Sequence, residues 1–154
     1  MKRILVSLVF ITVSTFLYSQ NYKTAIGIKG GYPGYGSLNG KHFLNSKTAI
    51  EGSLGGGANT LLLQGLYELN YSLEDGLNWY AGGGANVGFY SFKNTITNER
   101  TSNMILGLNG IVGLEYTFED LPLNVALDTG PNLRIINSLG FGWGAGIAVR
   151  YAIK

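Results

Sequence analysis

The sequence contains no cysteine, a single histidine (His42) and three prolines in 154 residues. Without cysteine there is no disulfide scaffold, no cysteine-zinc site, no thiol catalysis and no lipid anchor on an N-terminal cysteine. One histidine cannot supply a dense zinc site. Charged residues make up only 13% of the chain, where ordinary soluble domains carry about a quarter. The formal charge of +2 is too small to point to nucleic acid, and no such partner is expected. Disorder is excluded as well, because 45% of the residues are hydrophobic and disordered chains are apolar-poor. What is plentiful is glycine, with 24 residues, and tyrosine, with 10. The length allows one domain.

The N-terminus reads as an address. Lys2 and Arg3 precede a short apolar run from Ile4 to Tyr18, followed by the small residue Ser19. The run falls short of the roughly 20 residues a spanning helix needs, and the pattern is that of a secretory signal peptide. Residues 1–19 are therefore expected to be removed, leaving a domain over residues 20–154. That domain keeps every glycine, loses Lys2 and Arg3, and carries nine basic and nine acidic residues. Beyond Ser19 no apolar stretch approaches about 18 residues, so no transmembrane helix is expected there.

Residues 20–154 alternate with a period of two, which places successive side chains on opposite faces of a strand. The last segment is the clearest: Phe141, Trp143, Ala145, Ile147, Val149, Tyr151 and Ile153 oppose Gly140, Gly142, Gly144, Gly146, Ala148, Arg150 and Ala152. The pattern recurs over residues 61–71, 77–89, 104–118 and 121–135. Leu62, Leu66, Ile105 and Ile111 break it by standing on the polar face. Three shorter strands are expected over residues 22–32, 36–45 and 48–57. Pro33-Gly34-Tyr35 and Asn45-Ser46-Lys47 are natural turns, and other connections fall at 57–59, 72–76, 93–102, 119–122 and 137–139. Eight strands share 135 residues, about 17 each, which suits a bilayer-crossing strand of about 9–11 residues plus a turn.

Two kinds of barrel fit eight alternating strands. A soluble lipocalin-like barrel buries its apolar face and shows a charged face to water. Here the polar face is mostly Gly, Ala and Asn, with about one ionisable group per strand, too sparse for a wetted surface. As the lining of a narrow barrel it makes sense, with the apolar face toward lipid. Tyr71, Trp79, Phe89, Tyr116, Phe118, Phe141, Trp143 and Tyr151 then fall near strand ends as interface girdles. By parity the inward charges are Lys29, Lys41, Glu51, Glu68, Glu115, Asp128, Arg134 and Arg150. Lys41, Glu51, Glu68, Glu115 and Arg150 lie at similar depths and are expected to form ion pairs, since unpaired buried carboxylates are costly. Such a layer is an internal plug or the lining of a narrow ion path.

Several stretches carry a resemblance. They are Lys41-His42-Phe43-Leu44, Ala49-Ile50-Glu51, Gly65-Leu66-Tyr67-Glu68, Gly76-Leu77-Asn78-Trp79-Tyr80, Gly113-Leu114-Glu115-Tyr116-Thr117-Phe118, Pro122-Leu123-Asn124, Leu127-Asp128 and Arg150-Tyr151. In their order and spacing they resemble the small outer-membrane β-barrel proteins of Gram-negative bacteria, often labelled porin-like. The resemblance implies an eight-stranded up-and-down barrel in the outer membrane, inserted by the barrel assembly machinery, without catalytic residues. Such barrels usually end on an aromatic; here Tyr151 stands nearest the end, before Ile153 and Lys154.

The search for chemistry is short. Parity turns His42 outward near a rim, away from the inward acids, so a Ser–His–Asp arrangement is not available. Gly55-Gly56-Gly57 and Gly82-Gly83-Gly84 are followed by neither Lys-Ser/Thr nor a helix, and read as strand glycines rather than phosphate loops. Pro131 sits mid-strand, where a bulge is expected. No cofactor, metal or catalytic residue is assigned. Among the outer loops only residues 93–102 are long enough to recognise a ligand, which argues against an adhesin or transporter. The expected protein is a monomeric structural barrel of the outer membrane, with outer-membrane lipids and the assembly machinery as partners. A small passive channel, a soluble ligand-binding barrel and a lipid-modifying enzyme are the alternatives.

Overall fold

The structure, a computed structural model, describes residues 22–32, 36–57, 59–93, 100–136 and 139–153. The expected signal segment 1–19, the Pro33-Gly34-Tyr35 turn and the middle of the 93–102 connection lie outside these. Eight strands follow in chain order: β1 (Thr24–Tyr32), β2 (Ser37–Phe43), β3 (Thr48–Gly57), β4 (Thr60–Glu74), β5 (Leu77–Lys93), β6 (Arg100–Thr117), β7 (Leu123–Arg134) and β8 (Gly140–Ile153). Each pairs antiparallel with the next, and β1 pairs with β8 from Thr24↔Ile153 to Tyr32↔Ala145, closing the barrel. The fold is thus an all-β, eight-stranded, up-and-down antiparallel barrel. The end holding Thr24 and Ile153 is called here the near end, and the opposite one the far end.

Alternation decides the faces. Along β4 the odd residues Leu61, Leu63, Tyr67 and Leu69 are exposed, while Leu66, Glu68 and Asn70 between them are buried. Along β8, Phe141 is 73% exposed and Arg150 1%. The distribution is inverted relative to a water-soluble domain. Among the described residues, 29 large hydrophobic side chains are exposed, and the buried set is dominated by Asn, Thr, charged groups and Ala. Soluble monomers rarely expose contiguous apolar patches beyond a few hundred Å²; here the apolar face encircles the barrel.

The near-end turns are tight. Asn45 Oδ1 accepts the backbone N–H groups of Lys47 and Thr48, each at 2.9 Å, and so shapes the β2–β3 turn. Strands β4 and β5 meet at Asp75-Gly76, where Gly76 has φ +80°, a left-handed backbone that favours glycine. Strand β4 therefore runs on past the expected end at Tyr71, with one register shift between Ser72 and Glu74. At the far end the β5–β6 ladder continues to Lys93↔Arg100, so this connection is shorter than the expected 93–102. Pro131 makes no bulge. Asn109↔Asn132 and Val112↔Thr129 keep one register on either side of it. Having no N–H, Pro131 interrupts the ladder without shifting it.

Candidate functional site: the interior charge network

The inward charged side chains near mid-barrel meet one another across the bore. Lys41 faces inward on β2, directly across the ladder from Glu51 on β3. It does not pair with that neighbour. Its Nζ reaches over the bore to Glu115 Oε2 on β6 at 2.8 Å, to Glu68 Oε2 on β4 at 3.0 Å and to Asn70 Oδ1 at 2.7 Å. The same ammonium lies 4.3 Å from the Tyr80 ring centroid and 5.2 Å from that of Phe43, a cation–π arrangement strengthened by desolvation.

Arg150 on β8 supplies the second bridge. Its Nη2 donates to Glu51 Oε2 at 2.5 Å, its Nη1 to Asn124 Oδ1 at 3.0 Å, and its Nε to Asn39 Oδ1. Nη1 also lies 3.8 Å from Glu115 Oε2. Lys29 on β1 extends the network toward the far end, 2.8 Å from Glu51 Oε1 and 2.7 Å from Asp128 Oδ2. Tyr80 donates to the same Asp128 oxygen at 3.0 Å. Tyr22, just before β1, joins the network at the near end. Its hydroxyl lies 3.2 Å from Glu115 Oε2, and its ring packs edge-on against Phe43 at 5.2 Å. Burial, followed by the Glu115 carboxylate, holds the Tyr22 phenol well above its ordinary range, so it donates as a neutral hydroxyl.

Of the eight inward charges expected from parity, seven join this network: Lys29, Lys41, Glu51, Glu68, Glu115, Asp128 and Arg150. Arg134 is the correction. It sits at the far end of β7 with its side chain exposed at the mouth, beyond reach of the layer. The partners Tyr22, Asn39, Phe43, Asn70, Tyr80 and Asn124 were not assigned to the network by the sequence reading, which followed charge, although the alternation sets Asn70, Tyr80 and Asn124 on the polar face. Parity does place Tyr80 and Phe43 inward. His42 is on the outer face, where its Nδ1 lies 2.8 Å from Thr24 Oγ1.

The aromatic residues form two bands on the outer face. Toward the near end Tyr71 stacks on Trp79 at 4.8 Å, Tyr116 meets Phe118 edge-on at 4.9 Å, and Tyr151 is exposed. Toward the far end Phe89, Phe141 and Trp143 are exposed, and Trp143 Nε1 donates to Thr129 Oγ1 at 2.7 Å.

The network holds three cations against four carboxylates. Glu68 is the odd one. It is fully buried, and neither carboxylate oxygen accepts an aligned hydrogen bond, although Lys41 lies close. Glu51, in contrast, takes hydrogen bonds from Lys29, Asn39 and Arg150. Glu68→Gln is therefore expected to leave unfolding stability unchanged or to raise it, since it removes a surplus buried charge that accepts no aligned hydrogen bond. Glu51→Gln is expected to lower it by about 3 kcal/mol, the scale for breaking a buried pair. Urea unfolding of the refolded protein in micelles compares them, and equal losses in the two variants would refute this assignment.

No known family matches the chain, and no curated protein matches it in sequence. Among solved structures it is similar to the N-terminal β-barrel domain of Pseudomonas aeruginosa OprF. The TM-score is 0.61 at 15% identity, over 83% of this chain and 93% of that one. At this identity the likeness concerns the fold.

Proposed function

We propose that this chain is a structural β-barrel protein of the outer membrane of a Gram-negative cell, with a plugged interior and no enzymatic activity. The observation that carries the reading is the buried charge network spanning the bore of a barrel whose outer face is apolar. The spacing of the aromatic bands supports the membrane part. Phe141 and Tyr151 are ten residues apart on β8, about 34 Å along an antiparallel strand. At the usual tilt this is about 25 Å of height, the thickness of a lipid-facing band. Closure of the ring leaves no unpaired strand edge for lipid to meet.

The plug supports a non-conducting role. The network's charged groups are spent on one another and on neighbouring amides, which favours rigidity over catalysis. Outer-membrane lipids and the barrel assembly machinery are the partners this role requires. A ring without free edges also needs no second copy, so the working form is a monomer. After refolding into planar bilayers the protein is expected to show no sustained conductance steps. Sustained ohmic steps would instead establish a passive channel. The membrane part has its own test, in which unboiled and boiled samples migrate differently in detergent electrophoresis. No shift, together with aqueous solubility, would favour a lipocalin-like soluble barrel.

A further inference from the structure

Between the charge network and the far-end mouth the barrel holds a cavity of about 370 Å³, within the range of small-molecule sites. Its lining includes the four side chains that break the alternation: Leu62 and Leu66 on β4, Ile105 and Ile111 on β6. Ile111 also packs on the buried cluster of Tyr80, Ala126 and Ala148, and Leu66 is itself buried, whereas Leu62 and Ile105 are only partly buried. The register explains their grouping. Successive rows across β4, β5 and β6 read Leu62–Gly88–Ile105, Gln64–Asn86–Gly107, Leu66–Gly84–Asn109 and Glu68–Gly82–Ile111. Strand β5 thus contributes glycine in three rows of four, and Leu62, Leu66, Ile105 and Ile111 wall a furrow of the cavity in which Asn86 is the residue that β5 presents. The amides Gln64, Asn86 and Asn109 cross it.

Gln64 distinguishes this furrow from mere packing. It stands between the two leucines and lines the cavity, and its side chain makes no hydrogen bond among the described residues. Asn86 already donates to Asn109 Oδ1 at 2.8 Å, and Asn132 donates to the same oxygen. The Gln64 carboxamide therefore offers the cavity a donor and an acceptor that the barrel itself does not use. The floor selects against anions. Lys29, the cation at this floor, is held by Glu51 and Asp128, and the layer beneath has four carboxylates for three cations; Arg134 lines the cavity only at its mouth.

We infer that this furrow is a binding site for a small neutral molecule with an apolar body and a carboxamide or carbonyl edge. The apolar body lies against Leu62, Leu66 and the two isoleucines, and the polar edge pairs with Gln64. The site is wholly on the inner face, so it stands whatever covers the outer face.

The test uses 4-fluorobenzamide as the probe and 4-fluorotoluene as its counterpart without the amide, followed by fluorine NMR with the folded barrel in micelles. The unboiled electrophoretic band verifies folding of each variant. The expected result is saturable binding of the benzamide. Gln64→Leu, which breaks no existing hydrogen bond, should weaken the benzamide at least fivefold and leave the toluene unaffected. Leu62→Trp should fill the furrow and abolish binding, whereas Leu63→Trp, on the outer face, should not alter it. Signal that rises without saturation, or that is equal in wild type and Leu62→Trp, would mean partition into the micelle and overturn the site. Saturable binding indifferent to Gln64→Leu would overturn the amide's role in it.

Discussion

Replacing Arg150 with Ala is expected to cost the barrel about 3–5 kcal/mol, the scale for stranding a buried charge by removing its partner. Arg150 is 1% exposed and joins Glu51, Asn39 and Asn124 by hydrogen bonds, with Glu115 at 3.8 Å. Its loss leaves Glu51 supported by Lys29 and Asn39, and Glu115 by Lys41 and Tyr22. The bore would then hold two cations against four carboxylates. The penalty comes from the stranded carboxylates, not from any large net value of the pair, since an apolar filling often does as well. Adding Glu51→Gln to Arg150→Ala should accordingly recover part of the loss. Urea unfolding followed by fluorescence of Trp79 and Trp143 measures both. Stability of the single variant within about 1 kcal/mol of wild type, a small effect for a buried pair, would show that the network is not what holds the interior.

The second large effect is expected at Gly84, and it is steric. A Cβ built there would lie 1.9 Å from the carbonyl oxygen of Gly65 and 2.8 Å from the Cα of Leu66. Both atoms belong to the backbone of β4, the partner strand, so they cannot rotate aside. A narrow, strongly coiled ring brings inward backbone this close. Gly84→Ala must separate β4 from β5 at mid-height, and the loss should reach or exceed the top of the roughly 1–3 kcal/mol range for overpacking. Gly65→Ala is the control. A Cβ there meets nothing within 4 Å, and the substitution also restricts the unfolded chain, so stability should be unchanged or slightly higher. Refolding yield and the unboiled electrophoretic band report the contrast. Equal folding of the two variants would show that the wall can relax enough to admit a methyl group.

Alternation made all eight strands legible, because a barrel wall has one chemistry outside and another within. Residues 48–57 are a strand as expected. The misses occur where that contrast fades. Strands β5 and β6 continue through Ser91↔Ser102 and beyond, but backbone pairing there needs no apolar face and leaves no periodic signal. Parity also says which charges turn inward, but not which meet. Lys41 ignores its ladder neighbour Glu51 for Glu68 and Glu115 on other strands, a choice that exists only once the ring is closed. Arg134 shares the inward parity but lies too near the mouth to take part. The leucines and isoleucines that spoil the pattern gain sense only when the register sets β4 and β6 on either side of glycine-rich β5.

The ladders also constrain how such a chain can change. Six of the eight seams pair without interruption, Pro131 leaves a seventh in register, and the shift in β4 falls at Ser72 and Glu74, beside the turn. One residue inserted in mid-strand would turn every following side chain through the wall, setting leucine in the bore and arginine against the outside. Strand lengths can therefore drift only by twos, whereas the connections can gain or lose residues singly. Descent with insertions and deletions, on this fold, is an arithmetic of even numbers within the wall and of any number at its rims.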